Sequence, residues 1–137
     1  MRGAIHHLDL TVRDPWGSRD FYAAVLGFMG YHEVSSHERG FDYDLQTSDG
    51  FCSIGVMKAQ GPNSSRAPDR YSPGLHHVAW NAESRDDVDA LHRLLVEINA
   101  AVLDPPADYP RYGAGYYAVF FADPDGLKLE YVFKPRR

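Results

Sequence analysis

"IHHLDLTV" at residues 5–12 and "LHHVAWNA" at residues 75–82 are two copies of one pattern, a doubled histidine opening a run of alternating apolar residues. Setting His7 on His77 gives an offset of 70. The segments after the two copies are also alike. The first copy leads into Asp14, a short acceptor suited to capping a helix, and Pro15, whose fixed φ suits the first helical position. Phe21, Tyr22, Val25 and Leu26 then recur on one helical face. The second copy leads into Ser84 and Asp87, a short-armed capping box, with Val88, Leu91, Leu94, Leu95 and Ile98 at helical spacing. Each half closes on a β-rich run, an Asp-Gly turn signal and a second run: "FDYDLQTSDGFCSIGVMK" at 41–58 and "YAVFFADPDGLKLEYVFK" at 117–134.

The pattern predicts β-α-β-β-β written twice, an α+β fold. Module one covers residues 1–58, a Pro-, Ser- and Gly-rich linker 59–73, and module two 74–137. The two curved mixed sheets are expected to enclose a cavity within a single domain, with the helices on the outer face. Extra residues in the second half are assigned to turns within "LDPPADYPRYGAGY".

Composition agrees with one ordinary domain: 137 residues, 44% apolar, and no apolar run of membrane-spanning length. Charges are interspersed and sum to −5, with no basic tract, which argues against nucleic acid as a partner. The single cysteine, Cys52, excludes an internal disulfide framework. The opening residues lack the charged-then-apolar pattern of a secretory signal, so the expected location is cytoplasmic.

Strand alternation sorts the side chains. Leu8, Leu10 and Val12 suit packing under a helix, leaving His7, Asp9 and Thr11 on the other face. Likewise Val78 and Trp80 go with the helix, and His77, Ala79 and Asn81 point away. Leu129, Tyr131 and Phe133 leave Lys128, Glu130 and Val132 opposite. Glu130 in an apolar strand is hard to explain as packing, because a buried carboxylate is costly without a partner. Aligning the Asp-Gly signals gives an offset of 76 and makes Ile54 the counterpart of Glu130. Four cavity positions then correspond: His7, Ile54, His77 and Glu130. Two imidazoles and a carboxylate suit a divalent cation such as iron, manganese, nickel, zinc or cobalt, with positions left for water and substrate. Asp9 shares the face of His7 as a possible orienting or acid–base group. Cys52, two residues before Ile54, is placed on the cavity face as a small apolar residue.

"IHHLDLTV…FYAAVLGF", "GLHHVAW" and "FFADPDGLKLEYV" resemble the vicinal-oxygen-chelate superfamily, the glyoxalase, bleomycin-resistance and extradiol-dioxygenase group. The resemblance implies paired βαβββ modules, commonly a homodimer with sites between modules, and a small-molecule substrate. It also implies a divalent metal on His7, His77 and Glu130. Glyoxalase I enzymes add a fourth ligand, a glutamate, on the last strand of the first module, where the Asp-Gly offset puts Ile54. Three ligands suit dioxygenase-like or lyase/transferase chemistry better. For an extradiol dioxygenase the phenol would come from Tyr116, Tyr117 or Tyr112, while His32, His37 and His92 read as loop or helix residues. The alternative is a non-catalytic drug- or metabolite-binding protein of the bleomycin-resistance type. "PPADYPRYGAGYY" would hang over the cavity mouth, with Tyr109, Arg111, Tyr112 and Tyr116 covering a ligand. Arg111, or Arg66 and Arg70 of the linker, offers a fork for an anionic group.

Overall fold

A computed structural model describes residues 2–136, and the chain resolves into two compact units that divide between Arg66 and Ala67. The first carries β1 (His7–Val12), α1 (Pro15–Phe28), β2 (His32–His37), β3 (Gly40–Thr47) and β4 (Gly50–Lys58). The second carries β5 (Val78–Asn81), α2 (Arg85–Glu97), β6 (Ala101–Asp108), a 3-10 turn (Pro110–Tyr112), β7 (Tyr117–Ala122) and β8 (Lys128–Phe133). Each unit is thus one βαβββ module. The sheets have the orders β1-β4-β3-β2 and β5-β8-β7-β6. In both, the first strand pairs in parallel with the last, and the other pairs are antiparallel.

The helices begin and end as their sequences direct. Asp14 caps α1, accepting the Trp16 N–H at 3.1 Å, with Pro15 as the first helical residue. Ser84 caps α2, accepting the Asp87 N–H at 3.0 Å, while Asp87 reaches back to the Glu83 N–H at 2.9 Å. Both helices close on a residue of positive φ, Gly30 at 98° and Asn99 at 56°. In each, the next residue donates five positions back, Tyr31 to Leu26 and Ala100 to Leu95, both at 2.9 Å. The repeat therefore extends to the helix ends, which the hydrophobic pattern does not report.

One face of each sheet lies under its helix. In the first module Tyr22, Val25 and Leu26 pack on a core that includes Leu10, Val12, Phe41, Ile54 and Val56, all at most 3% exposed. In the second, Val88, Leu91 and Leu95 meet Val119, Phe121 and Leu129, all fully buried. Each such side chain contributes about 1.5–3 kcal/mol by leaving water. The predicted α2 stripe is a turn too long: Leu94 is half-buried, and Ile98, at the C-cap, is 36% exposed.

Two segments differ from expectation. His32 and His37 bound strand β2, whose six residues are all exposed. An edge strand without an apolar face has no alternation to announce it. "LDPPAD" belongs to strand β6 rather than to turns, with its pairing to β7 shifting around Pro105 and Pro106. Prolines fit there because β6 is the last strand of its sheet and one side needs no donors. No helix among the described residues is long and apolar enough to cross a membrane.

Candidate active site

Register, not sequence spacing, decides which residues share the face opposite the helix. In the second module Ala79 pairs with Glu130 and Val78 with Leu129. In the first, Asp9 pairs with Gly55 and Leu8 with Ile54. Since Asp9 corresponds to Ala79 at the offset of 70, the counterpart of Glu130 is Gly55, and Ile54 corresponds to the core residue Leu129. This corrects the placement of Ile54. The Asp-Gly signals mislead because the turns differ in length. Thr47 pairs with Gly50 across two residues, whereas Ala122 pairs with Lys128 across five. A slip of one residue moves a side chain to the other face. Ile54 is 2% exposed under α1, and Cys52, two residues away on the same side, lines a shallow depression with Ile5, Leu45 and Phe51. Neither lies on the histidine face.

Glu130 is the center of the second module's site. Its side chain is 3% exposed and sits between Ala79 and Phe120 on the neighboring strands. One carboxylate oxygen lies 2.9 Å from His77 Nε2, and the other accepts a short hydrogen bond from the Tyr116 hydroxyl. Removing either partner would leave a buried charge under-satisfied, a defect of several kcal/mol when complete. Burial first, and then the bond to Glu130, hold the Tyr116 phenol above its ordinary range. The far side of His77 is occupied too: its Nδ1 stands 2.7 Å from His76 Nδ1.

Aromatic rings frame this carboxylate. Tyr112 and Tyr109 approach Tyr116 edge-on, with centroids 5.4 and 6.4 Å away. Phe120 packs against Tyr109 at 5.4 Å and His77 at 6.3 Å, with Lys128 Nζ 4.6 Å from its ring. Arg111 donates to the Tyr112 hydroxyl at 2.9 Å and lies over that ring, which is 48% exposed. Tyr117 is not part of this group. It points to the helix side, donates to Asp89 at 2.6 Å, and carries the Arg85 guanidinium 3.9 Å above its ring. Arg70 sits 5.0 Å from the Tyr71 ring in the segment before β5.

The first module presents His7 at the mouth of β1, with its Nδ1 3.0 Å from His6 Nδ1 and its Nε2 4.0 Å from Asp9 Oδ2. Gly55 leaves room beside Asp9: a Cβ there would collide with Asp9 Oδ1 and stand 2.9 Å from Asp42 Oδ1. Asp42 in turn accepts from Ser35 Oγ at 2.5 Å and lies 3.6 Å from His37 Nε2. Asp42 lies on β3 and its partners Ser35 and His37 on β2; the exposed β2 has no apolar alternation, so His37 reads in sequence as a loop or helix residue with no connection to Asp42. Within each module, among the described residues, no three histidine, cysteine, aspartate or glutamate side chains gather as a ligand set. The three predicted ligands divide between modules, His7 in one and His77 with Glu130 in the other.

The fold has counterparts in known proteins. Residues 4–131 match the model of the Glyoxalase/Bleomycin resistance protein/Dioxygenase superfamily. The chain belongs to that superfamily, the vicinal-oxygen-chelate group. It is 33% identical over 128 residues to the uncharacterized protein YqjT of Bacillus subtilis, covering 93% of this chain and 97% of that one. A solved structure from Bacillus halodurans superposes with a TM-score of 0.80 at 29% identity, covering 97% of both chains. The lactoylglutathione lyase of Agrobacterium tumefaciens shares the fold, with a TM-score of 0.61 at 20% identity over 96% of this chain and 93% of that one. The superfamily includes enzymes, and its members usually depend on a metal and bind small molecules.

Proposed function

We propose that this protein is a metal-dependent enzyme acting on a small substrate that chelates through adjacent oxygens, with a divalent metal held by His7, His77 and Glu130. The observation that carries the reading is the environment of Glu130. A structural carboxylate this deeply buried is ordinarily matched by arginine or lysine; here it is held by an imidazole and a phenol. The donor pair also fits a metal. His77 Nε2 and Glu130 Oε1 are 2.9 Å apart, and adjacent ligands of an octahedral ion with bonds of about 2.1 Å stand about 3 Å apart.

When bound, the metal supplies Lewis acidity to the substrate oxygens. The chain's own groups do the rest. Tyr116 orients the carboxylate through its hydroxyl and stays protonated at neutral pH. Asp9, exposed beside Gly55, is the carboxylate placed to accept a proton. Tyr112 and Arg111 cover and orient the substrate. Gly55 offers no side chain on β4, which favors three-ligand, dioxygenase-like or lyase/transferase chemistry over a four-ligand glyoxalase I mechanism. The imidazole and carboxylate set suits iron, manganese, nickel, zinc or cobalt. We further propose a homodimer working in the cytoplasm, with the two modules acting as one domain.

The test is metal analysis of protein purified without chelator, with titration of zinc into wild type, His77→Ala and Glu130→Ala. Near-stoichiometric binding in wild type and its loss in both variants is the expected result. Equal, negligible binding in all three would sink the reading.

A further inference from the structure

We infer that His6 and His76 are positioning residues, each holding its neighbor in the tautomer that presents an Nε2 lone pair to the metal. The inference rests on the proposed metal site.

The two modules repeat one arrangement. His6 Nδ1 meets His7 Nδ1 at 3.0 Å, and His76 Nδ1 meets His77 Nδ1 at 2.7 Å. The paired rings are steeply crossed in both, at 89° and 70°. Each outer histidine is itself steadied by an aromatic neighbor, Phe51 at 5.2 Å from His6 and Tyr71 at 5.9 Å from His76.

Successive side chains inside a strand point to opposite faces and cannot meet. These pairs meet because they stand at the strand entrances: β1 begins at His7 and β5 at Val78. A doubled histidine at that place is a contact device rather than two unrelated side chains.

Chemistry then assigns the proton. Two imidazoles joined Nδ1 to Nδ1 share one hydrogen, carried by one ring and accepted by the other. A ligand whose Nε2 binds a metal has no proton there, so in the neutral ring the hydrogen sits on Nδ1. With metal bound, His77 therefore donates from Nδ1 and His76 accepts, whereas without metal the Nε2 hydrogen of His77 faces Glu130 Oε1 at 2.9 Å; His7 and His6 stand in the same Nδ1-to-Nδ1 relation. Nδ1–H is the minor tautomer of a free histidine side chain in water, and Glu130 draws the hydrogen of His77 to Nε2, so an acceptor at Nδ1 lowers the cost of shifting that hydrogen when the metal binds. It also fixes the ring's rotation, as partners of metal-bound histidines commonly do.

The test compares His76→Phe, which keeps a ring but removes the acceptor, with His76→Asn, whose Oδ1 can stand where Nδ1 was. Zinc affinity is measured by chelator competition on the full chain, with melting curves as a folding control. His76→Phe is expected to weaken zinc about 10- to 100-fold, and His76→Asn to restore affinity to within a few-fold of wild type. His6→Phe and His6→Asn should behave in parallel. Nitrogen-15 spectra of zinc-loaded wild type should show His77 protonated at Nδ1, a reading that needs no variant. Wild-type affinity in His76→Phe, a loss in His76→Asn as deep as in His76→Phe, or an Nε2-protonated His77 would overturn the inference while leaving the metal site standing. Wild type binding no better than His77→Ala would overturn both.

Discussion

Tyr116 and Tyr117 are adjacent in sequence and identical in kind, yet phenylalanine at the two positions should have different consequences. Tyr116→Phe removes the donor to one oxygen of Glu130, leaving the other with His77 at 2.9 Å. The Glu130 side chain is 3% exposed, so water cannot replace the lost hydroxyl. A hydrogen bond to a charged group contributes about 1.5–3 kcal/mol when its loss leaves the partner unsatisfied. Tyr117→Phe removes a 2.6 Å bond to Asp89, but Asp89 is half-buried and water can reach it. That loss should cost about 0.5–1 kcal/mol. The assay is urea unfolding of metal-free protein. With a slope of about 1–3 kcal/mol per molar, Tyr116→Phe should lower the midpoint by about 1 M without changing the slope. In a Glu130→Gln background the same change should cost less, because the charge that made the bond strong has gone. A Tyr117→Phe cost equal to or above that of Tyr116→Phe would refute the reasoning.

Three further outcomes are expected. Ile54→Ala should destabilize by about 2–5 kcal/mol as a core truncation, whereas a cavity-lining role predicts little change in unfolding; denaturant melts decide. Gly40→Ala should be far more disruptive than Gly55→Ala, since the new Cβ at 40 collides with the Val56 backbone while the one at 55 meets carboxylate ends that can swing aside. Overpacking at 40 should cost about 1–3 kcal/mol or more, against a change under about 1 kcal/mol at 55; thermal melts of the pair will tell. Burial and bonds to Glu130 and Asp87 raise the phenols of Tyr116 and Tyr131 above the ordinary 10.0. The folded state holds these protons more tightly, so the contribution is complete below pH 10.0 and is lost as pH rises beyond it. Unfolding free energy measured against pH should fall on the alkaline side, and less steeply in Tyr131→Phe. An unchanged slope would contradict this.

Much of the molecule can be read from the chain by local rules. The doubled histidine, the caps at Asp14 and Ser84, and the helical stripes through Tyr22 and Leu91 each depend on neighbors within a few residues. Alternation alone put His7, His77 and Glu130 on the faces turned away from the helices, and the repeat proposed them together. What failed were features with no local signature. Strand β2 is exposed throughout and shows no apolar period, so the approach of its Ser35 and His37 to Asp42 on β3 went unseen. β6 accommodates Pro105 and Pro106 because, among the described residues, it is the last strand of its sheet.

The sequence by itself determined the two modules, their element order and the identity of the buried carboxylate, because periodicity and capping are set by the residues nearest in the chain. Tertiary structure alone decided that Gly55 rather than Ile54 stands opposite Asp9, and that Tyr116 rather than Tyr117 holds Glu130. Both are consequences of strand register. Register is set by turn length and by which faces find a core, and a single residue of slip reverses a side chain while leaving the sequence pattern unchanged.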